Sequence, residues 1–465
     1  IGGGAFLMAE VKEAVLMGDG KYQPYLEYKD SGVEWLGWIP THWHKLQLKR
    51  HCSVSGGFAF PSDSLGDEGT PVIRIGDILT DGSVSLTNCK YVGNGDSIAY
   101  SKYRVSAGDL LMAMTGATIG KAGWYKEKET ALLNQRVGTF KAGATIDVNF
   151  LWYVLASAGY QEHIRLTAFG GAQPNISDTG MLAYETAFPS LLEQRTIAAF
   201  LDYETTRIDQ LIAKQQRLIE LLKEKRQTVI SHAVTKGLNP NVPMKVSGVE
   251  WLGQVPEHWV ATPLKHYAKV IDCKHITAEF TDQGFPLASI SEVKGWSVNL
   301  VNAKRTSTKF YEELIEGGRK PRPGDIIYSR NATVGEAALV TEDMPDFAMG
   351  QDVCLIRLCD SLESEFLLYV LKSGVIETQL SLAMVGSTFK RINVDNIRNF
   401  LLALPPKSEQ KAIVKTLSNL TSKYDSLVFK AQLKIGLMQE RRTALISAAV
   451  TGKIDLRGWT PPKEG

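Results

Sequence analysis

The sequence predicts a mixed α/β protein: two strand-rich globular domains joined by two long antiparallel coiled-coil helices, related by a pseudo-two-fold internal repeat. Three observations predict it. A set of short blocks recurs at one constant offset along the chain. Each copy begins with a glycine-punctuated stretch of brief Val/Ile runs. Each copy ends in a long amphipathic stretch poor in helix breakers.

The repeat comes first, because a fixed internal period decides the architecture before any local propensity does. Ser31-Gly32-Val33-Glu34-Trp35-Leu36-Gly37 returns from Ser247, an offset of 247 − 31 = 216. Pro40-Thr41-His42-Trp43 returns as Pro256-Glu257-His258-Trp259, and Gly108-Asp109-Leu110-Leu111 as Gly324-Asp325-Ile326-Ile327. Phe150 to Leu155 returns as Phe366 to Leu371, Glu193-Gln194 as Glu409-Gln410, and Ile230 to Thr235 as Ile446 to Thr451. A unit of this length is too long for a solenoid repeat and reads as a duplicated domain-plus-helix module.

Within each module the first part reads as short strands and turns. Pro71 to Ile75 and Asp109 to Met112 are apolar runs bounded by turn residues, the pattern of buried strands. A short helix is expected around Phe150 to Arg165. The resulting division is an N-terminal extension over 1–28, a first globular domain over 29–189, a central long helix over 190–236, a second globular domain over 237–405, a C-terminal long helix over 406–452 and a tail over 453–465. Ile1 to Leu7, which precede Met8, are set aside as cloning-derived residues.

The helical parts have their own signals. Ser190 to Val234 contains neither proline nor glycine. Ser190 followed by Glu193 has the spacing of a capping box, which satisfies the free amides of a helix start. Gly237 and Pro240 supply the stop. Apolar residues then follow alternating steps of three and four: Ile197, Leu201, Ile208, Leu211, Leu218, Leu222 and Val229 in the central helix, interrupted by Glu204, Gln215 and Lys225. The C-terminal helix keeps the same phase with Ile413, Leu417, Leu420, Tyr424, Leu427, Ala431, Met438 and Leu445, interrupted by Lys434 and Arg441. Such spacing over six turns marks a coiled-coil seam. A chain running domain, helix, domain, helix closes on itself when the two helices are antiparallel.

Composition narrows the function classes. With 465 residues, 44% hydrophobic and 22% charged, the chain is long enough for several buried cores. The five cysteines, Cys52, Cys89, Cys273, Cys354 and Cys359, form no CxxC pair, which argues against a disulfide framework or a zinc site and favours a reducing cytoplasm. No run approaches the roughly 20 apolar residues of a membrane helix. The net charge of +2, from 52 Lys+Arg against 50 Asp+Glu, does not by itself advertise nucleic-acid binding.

Catalytic constellations are missing. Gly116 to Lys121 has three residues between its glycines and Ala122 after the lysine, so it fails the phosphate-loop pattern. No dinucleotide fingerprint, metalloprotease motif or adenine-gripping Asn/Asp-Pro-Pro-aromatic segment occurs. His42, His44 and His258, beside Trp43 and Trp259, read as packing and turn residues. The chain is expected to be non-catalytic by itself, with no catalytic residues, metal ligands or bound cofactor of its own.

The ordered motifs strongly resemble the type I restriction–modification specificity subunit family. In the first module they are Gly56-Gly57-Phe58-Ala59-Phe60, Gly108 to Leu111, Thr115 to Lys121, Asn134-Gln135-Arg136-Val137, Gly171 to Ser177, the Pro189 to Gln194 helix start and Val229 to Thr235. In the second they are Gly324 to Ile327, Arg330 to Gly335, Gly350 to Val353, Gly386-Ser387-Thr388 and Ala448 to Gly452. Each motif alone is weak; their order and duplication over about 430 residues are specific. Asp272-Cys273-Lys274-His275 departs from Gly-Gly-Phe-Ala-Phe, which suggests that the two domains are different subtypes reading different sequences.

The resemblance implies that each globular domain is a target-recognition domain reading one half of a bipartite, asymmetric site in double-stranded DNA. It implies helices that set the unspecified spacer and dock two modification subunits. Those partners would bind S-adenosylmethionine and methylate adenine, and two restriction or motor subunits would add ATP and Mg to the full complex. Direct readout then calls for basic and amide side chains in exposed loops. The candidates are Lys90, Tyr91, Lys102, Tyr103, Arg104, Lys121, Gln135 and Arg136 in the first domain. In the second they are Lys274, His275, Lys304, Arg305, Lys309, Arg319, Lys320, Arg330, Lys390 and Arg391. Phe58 and Phe60 are assigned to the core. The competing reading is a coiled-coil scaffold joining two protein-binding domains without a DNA role; the modest net charge favours it and the duplicated motifs oppose it.

Overall fold

The computed structural model describes residues 22–93, 95, 99–171, 173–331, 333–383 and 391–462. Residues 1–21, the Gly386-Ser387-Thr388 motif and Lys390 lie outside the described residues. The chain divides into two compact units: one holds the chain up to Gln215 together with everything from Leu433, and the other holds Gln216–Gln432. The boundary therefore falls within the long helices, so each unit is one globular domain plus a length of both.

In the first unit, an antiparallel sheet orders its strands Cys52–Gly56, Val137–Ala142, Leu110–Ala113 and Ala122–Trp124. A second sheet orders Lys90–Val92, Thr70–Ile73, Ala131–Leu133 and Arg104–Val105, with Ala131–Leu133 parallel to Thr70–Ile73. The single helix expected around Phe150 to Arg165 is two, Val148–Ala156 and Ala158–Thr167. The break falls at Ser157, whose hydroxyl accepts the Tyr160 amide at 3.3 Å and so caps the second helix.

The second unit repeats the antiparallel sheet as Ala268–Asp272, Val353–Leu358, Ile326–Ser329 and Ala337–Leu339. Its smaller sheet is Arg305–Thr306, Phe285–Ala288 and Ala348–Met349, again with one parallel pair. Helices Ser364–Leu371 and Gly374–Ala383 follow. A further helix, Thr308–Ile315, follows Arg305–Thr306 in this unit.

The long helices span Leu191–Lys236 and Lys407–Val450. In the first unit, Ile197, Phe200 and Leu201 share a core with Ile446, Ala449 and Val450, while Asp209 pairs with Arg442 at 3.0 Å. Rising numbers on one helix meet falling numbers on the other, so the two run antiparallel. The second unit does the same: Ile230, Ala233 and Val234 share a core with Ile413 and Leu417, and Arg226 pairs with Asp425 at 3.1 Å. Asp209 and Arg226 become Asp425 and Arg442 on adding the repeat offset of 216, so the ion pair is itself duplicated.

The seam lies one position away from part of the expected stripe. Ile197, Leu201 and Ile208 are buried, but Leu211 and Leu218 are 44% and 42% exposed, while Ile219 and Ile230 are buried. In the other helix Leu427 is 48% exposed and Ala431 buried. Leu222, Val229, Leu420, Tyr424, Met438 and Leu445 are half-buried, and Ile413 and Leu417 fully buried. The phase is set near each helix start by contacts that hydrophobicity alone does not show. Thr205 and Thr421 are buried, and their hydroxyls meet Tyr153 at 3.2 Å and Tyr369 at 3.3 Å.

The glutamine bonds of the domain–helix joint are duplicated. Gln194 is buried; its amide donates to Thr145 O and Pro189 O and accepts from the Asp147 N–H. Gln410 does the same with Ser361 O, Pro405 O and the Glu363 N–H. The Ser190 hydroxyl caps the Glu193 amide as expected, but the Glu193 carboxylate accepts from Trp43 Nε1 at 3.1 Å and from Tyr25 at 2.6 Å. Glu409 accepts from Trp259 Nε1 at 3.1 Å. His42 and His258 lie 3.1 and 2.8 Å from these same carboxylates, which gives the two histidines their packing role.

The segments expected as an extension and a tail contribute to the first unit's core. Tyr22, Tyr25, Ile454 and Leu456 are buried in it, and the Asp455 N–H donates to Gln23 O at 2.7 Å. Lys453 Nζ donates to Leu36 O and Trp38 O; in the second unit Lys236 Nζ contacts the matching carbonyls, Leu252 O and Gln254 O. The end of the C-terminal helix thus closes the first domain as the end of the central helix closes the second.

Candidate nucleic-acid interface

In the first unit the glycine-rich turn after Cys52–Gly56 organises a cluster of loops. Phe58 N–H donates to Leu133 O, and Phe58 O accepts the Gln135 N–H, both at 2.8 Å. Gly57 is required there, since a Cβ would sit 2.2 Å from Leu133 O. Phe58 then rests against Tyr100 and Tyr103, with ring centroids 4.8 and 5.3 Å away, and fixes the Ser101–Tyr103 turn. Arg136 O accepts the Met114 N–H at 2.9 Å, and the segment after Met114 bridges to the 169–175 loop through Thr115 and Asn175.

This wiring brings Lys102, Arg104, Gln135 and Arg136 onto one loop cluster, all exposed. Tyr103 is half-buried under them. Gln173 and Asn175 are also exposed there and were not nominated from sequence, although the Gly171 to Ser177 motif contains them. Amide and guanidinium groups of this kind can reach adenine and guanine edges in a major groove. The other candidates lie apart. Lys90 is on an outer strand, paired with Asp67 at 2.6 Å, and its hydrogen bond, with its charge, holds the Asp67 carboxyl below the usual range. Tyr91 is half-buried against the core. Lys121 spends its ammonium on Ile78 O at 3.1 Å, a structural role within its turn.

In the second unit three of the nominated cations, Lys274, Lys320 and Arg330, are neutralised by carboxylates of the domain itself. Lys274 pairs with Glu316 at 2.7 Å and Glu313 at 3.6 Å, and the Glu316 contact raises its pKa. Lys320 pairs with Asp346 at 2.8 Å. Arg319 donates to Asp272 O and Glu316 O. Arg330 is buried, 2.6 Å from Asp272 Oδ1. Lys304, Arg305, Lys309, His275 and Arg391 are exposed. Of these, Lys304 lies over the Phe280 ring at 4.3 Å, and Arg305 Nη1 donates to Gly284 O at 2.8 Å. Gln351, the counterpart of Gln135, is exposed and donates to Ile276 O and Thr277 Oγ1.

Asp272, Cys273 and His275 place an oxygen, a sulfur and a nitrogen within 4.8 Å of one another, a spacing that could hold a metal. The arrangement is organised around a cation already in the chain: the Arg330 guanidinium pairs with Asp272 and reaches Cys273 Sγ at 3.9 Å. Burial raises the Cys273 thiol pKa, which disfavours the thiolate form that metals bind. All five cysteines are free thiols.

Among the described residues, no single helix is long and apolar enough to cross a membrane. The family model for the type I restriction modification DNA specificity domain matches residues 40–221 and 256–432. The chain is 24% identical over 448 residues to the type I restriction enzyme EcoBI specificity subunit of Escherichia coli, covering 92% of this chain and 90% of that one. It is also 24% identical over 434 residues to the putative type I restriction enzyme MjaX specificity subunit of Methanocaldococcus jannaschii, covering 91% and 96%. Among solved structures, the HsdS subunit from Thermoanaerobacter tengcongensis shares the fold with a TM-score of 0.52 at 18% identity, over 90% of this chain and 98% of that one. A chain from a study of complex assembly and conformational transition of the type I R-M system aligns with a TM-score of 0.69 at 17% identity, over 89% and 98%. The two matched segments coincide with the two copies of the internal repeat: the chain belongs to the type I restriction modification DNA specificity domain family.

Proposed function

We propose that this chain is the non-catalytic subunit that gives a type I restriction–modification complex its DNA sequence specificity. Each globular domain reads one half of a bipartite, asymmetric site. The long helices set the unspecified spacer and dock two adenine-methyltransferase subunits, which bring S-adenosylmethionine; two ATP-dependent restriction subunits complete the assembly. The observation that carries this reading is a shared loop framework with exchanged side chains. The backbone bonds around Met114 and Arg136 recur around Arg330 and Asp352, while the residues presented differ. That is the arrangement expected of two readers built on one scaffold for two sequences.

The low net charge is compatible with this role, because methyltransferase subunits add phosphate contacts of their own. The helices also leave apolar side chains in solvent, with Leu192 76% and Phe429 66% exposed, which supports a docking role. The scaffold alternative gains nothing from the family match.

Methylome sequencing of cells carrying the complete system identifies the two half-sites and their spacing. The purified complex should then bind that site with an affinity that falls steeply with salt, and far more tightly than a scrambled duplex. Equal affinity for both duplexes at every salt concentration would return the scaffold reading.

A further inference from the structure

Among the described candidates Arg330 is the most fully buried cation, 4% exposed, and it joins three loops of the second domain. Its N–H donates to Asp352 O at 2.8 Å, which fixes the turn carrying Gln351. Its carbonyl accepts the Ile392 N–H at 2.9 Å, which fixes the segment carrying Arg391. Its guanidinium pairs with Asp272 at 2.6 Å, anchoring the loop that presents His275. The three loops are cross-tied: Gln351 donates to Ile276 O at 3.1 Å, and Asn331 Nδ2 donates to Asp352 Oδ1 at 3.2 Å. Asp352 holds a left-handed φ of 69°, which a non-glycine residue adopts only when its surroundings enforce it.

The first domain supplies an internal control. At the matching position Met114 makes the same two backbone bonds, from its N–H to Arg136 O and from its carbonyl to the Ile176 N–H. Its side chain is apolar, and the residue matching Asp272 is Gly56. The two copies therefore differ at both positions: Gly56 and Met114 in one domain, the paired Asp272 and Arg330 in the other. The paired exchange falls at the loop where Asp272-Cys273-Lys274-His275 stands in place of Gly56-Gly57-Phe58-Ala59. A buried guanidinium left without its carboxylate is costly, so removing either residue alone should destabilise the domain more than exchanging both.

We infer that Arg330, through Asp272, is a positioning residue that determines the specificity of the second domain by holding the loops of His275, Gln351 and Arg391 in register for base contact. This rests on the reading of the domains as half-site readers. Arg330 itself is too enclosed to reach a base, so it acts through the loops it holds.

The test uses the full complex with Arg330→Met, Asp272→Gly and the double variant, which installs the first domain's pair. Binding is measured on the methylome-defined site and on duplexes with each base pair of either half-site changed in turn. The result expected is at least a tenfold loss of discrimination at one or more base pairs of the second half-site in each single variant. First half-site discrimination should stay unchanged, and methylation should spread to relaxed second half-sites. The double variant should regain thermal stability relative to the singles without regaining the original specificity, which separates positioning from a purely structural role. Wild-type discrimination at both half-sites retained in all three variants would overturn the inference and leave the half-site reading intact. Failure of the wild-type complex to discriminate at all would instead overturn that reading.

Discussion

At the residue scale, the duplicated joints show which side chains the fold depends on. Gln194 is 1% exposed and satisfies two carbonyls and one amide from two different segments. Replacing it with leucine keeps the volume but orphans those groups, each worth about 1–3 kcal/mol when buried and unpaired. Gln194→Leu should therefore lower stability by roughly 3 kcal/mol in urea unfolding, whereas Gln173→Leu, on an exposed loop, should stay within about 0.5 kcal/mol. Equal effects would show that the amide is not the anchor. The sequence placed Glu193-Gln194 and Glu409-Gln410 in the repeat without revealing their partners. Glu193 carried the spacing of a capping box, but a buried indole 150 residues away and a buried phenol 168 residues away compete for the same carboxylate. Spacing along the chain cannot report that competition.

At the element scale, the absence of proline and glycine and the 3-4 periodicity were enough to locate both long helices, and the repeat was enough to orient them. The phase of the seam was not legible. Leu211 and Leu218 match the apolar stripe as well as Ile212 and Ile219 do; the buried Thr205–Tyr153 contact and the core that Ile197 and Leu201 share with Ile446 turn one of the neighbouring faces inward. The same limit applied to the readers. Basic residues were visible, but the acids that neutralise Lys274 and Lys320 come from Glu313, Glu316 and Asp346, so the charge of those two lysines is spent inside the domain. The seam can be tested directly. Ile219, 3% exposed, should cost about 2–4 kcal/mol on mutation to alanine. Leu218, 42% exposed, should cost within about 0.5 kcal/mol. A larger loss at Leu218 than at Ile219 in thermal unfolding would restore the stripe read from sequence.

At the scale of the whole molecule, the proposed ruler converts helix length into DNA spacing. Asp209 pairs with Arg442, so Lys214, five residues on, lies level with Leu437, five residues back along the antiparallel partner. Inserting four residues after Lys214, with four more after Leu437 so that neither helix must bulge, adds about 6 Å to both. At about 3.4 Å per base-pair step, that is close to two base pairs. Four residues also carry the helix about 40° past a whole turn, while two base pairs rotate the duplex by roughly 70°, from about 10.5 base pairs per turn. The mismatch of about 30° is small enough to be absorbed by DNA twist over the spacer, at a modest loss of affinity. The unspecified gap should therefore lengthen by about two base pairs, with both half-sites unchanged, as read by methylome sequencing of cells carrying the variant system. A gap of the original length with altered half-sites would assign spacing to the globular domains and specificity to the helices, the reverse of the roles proposed.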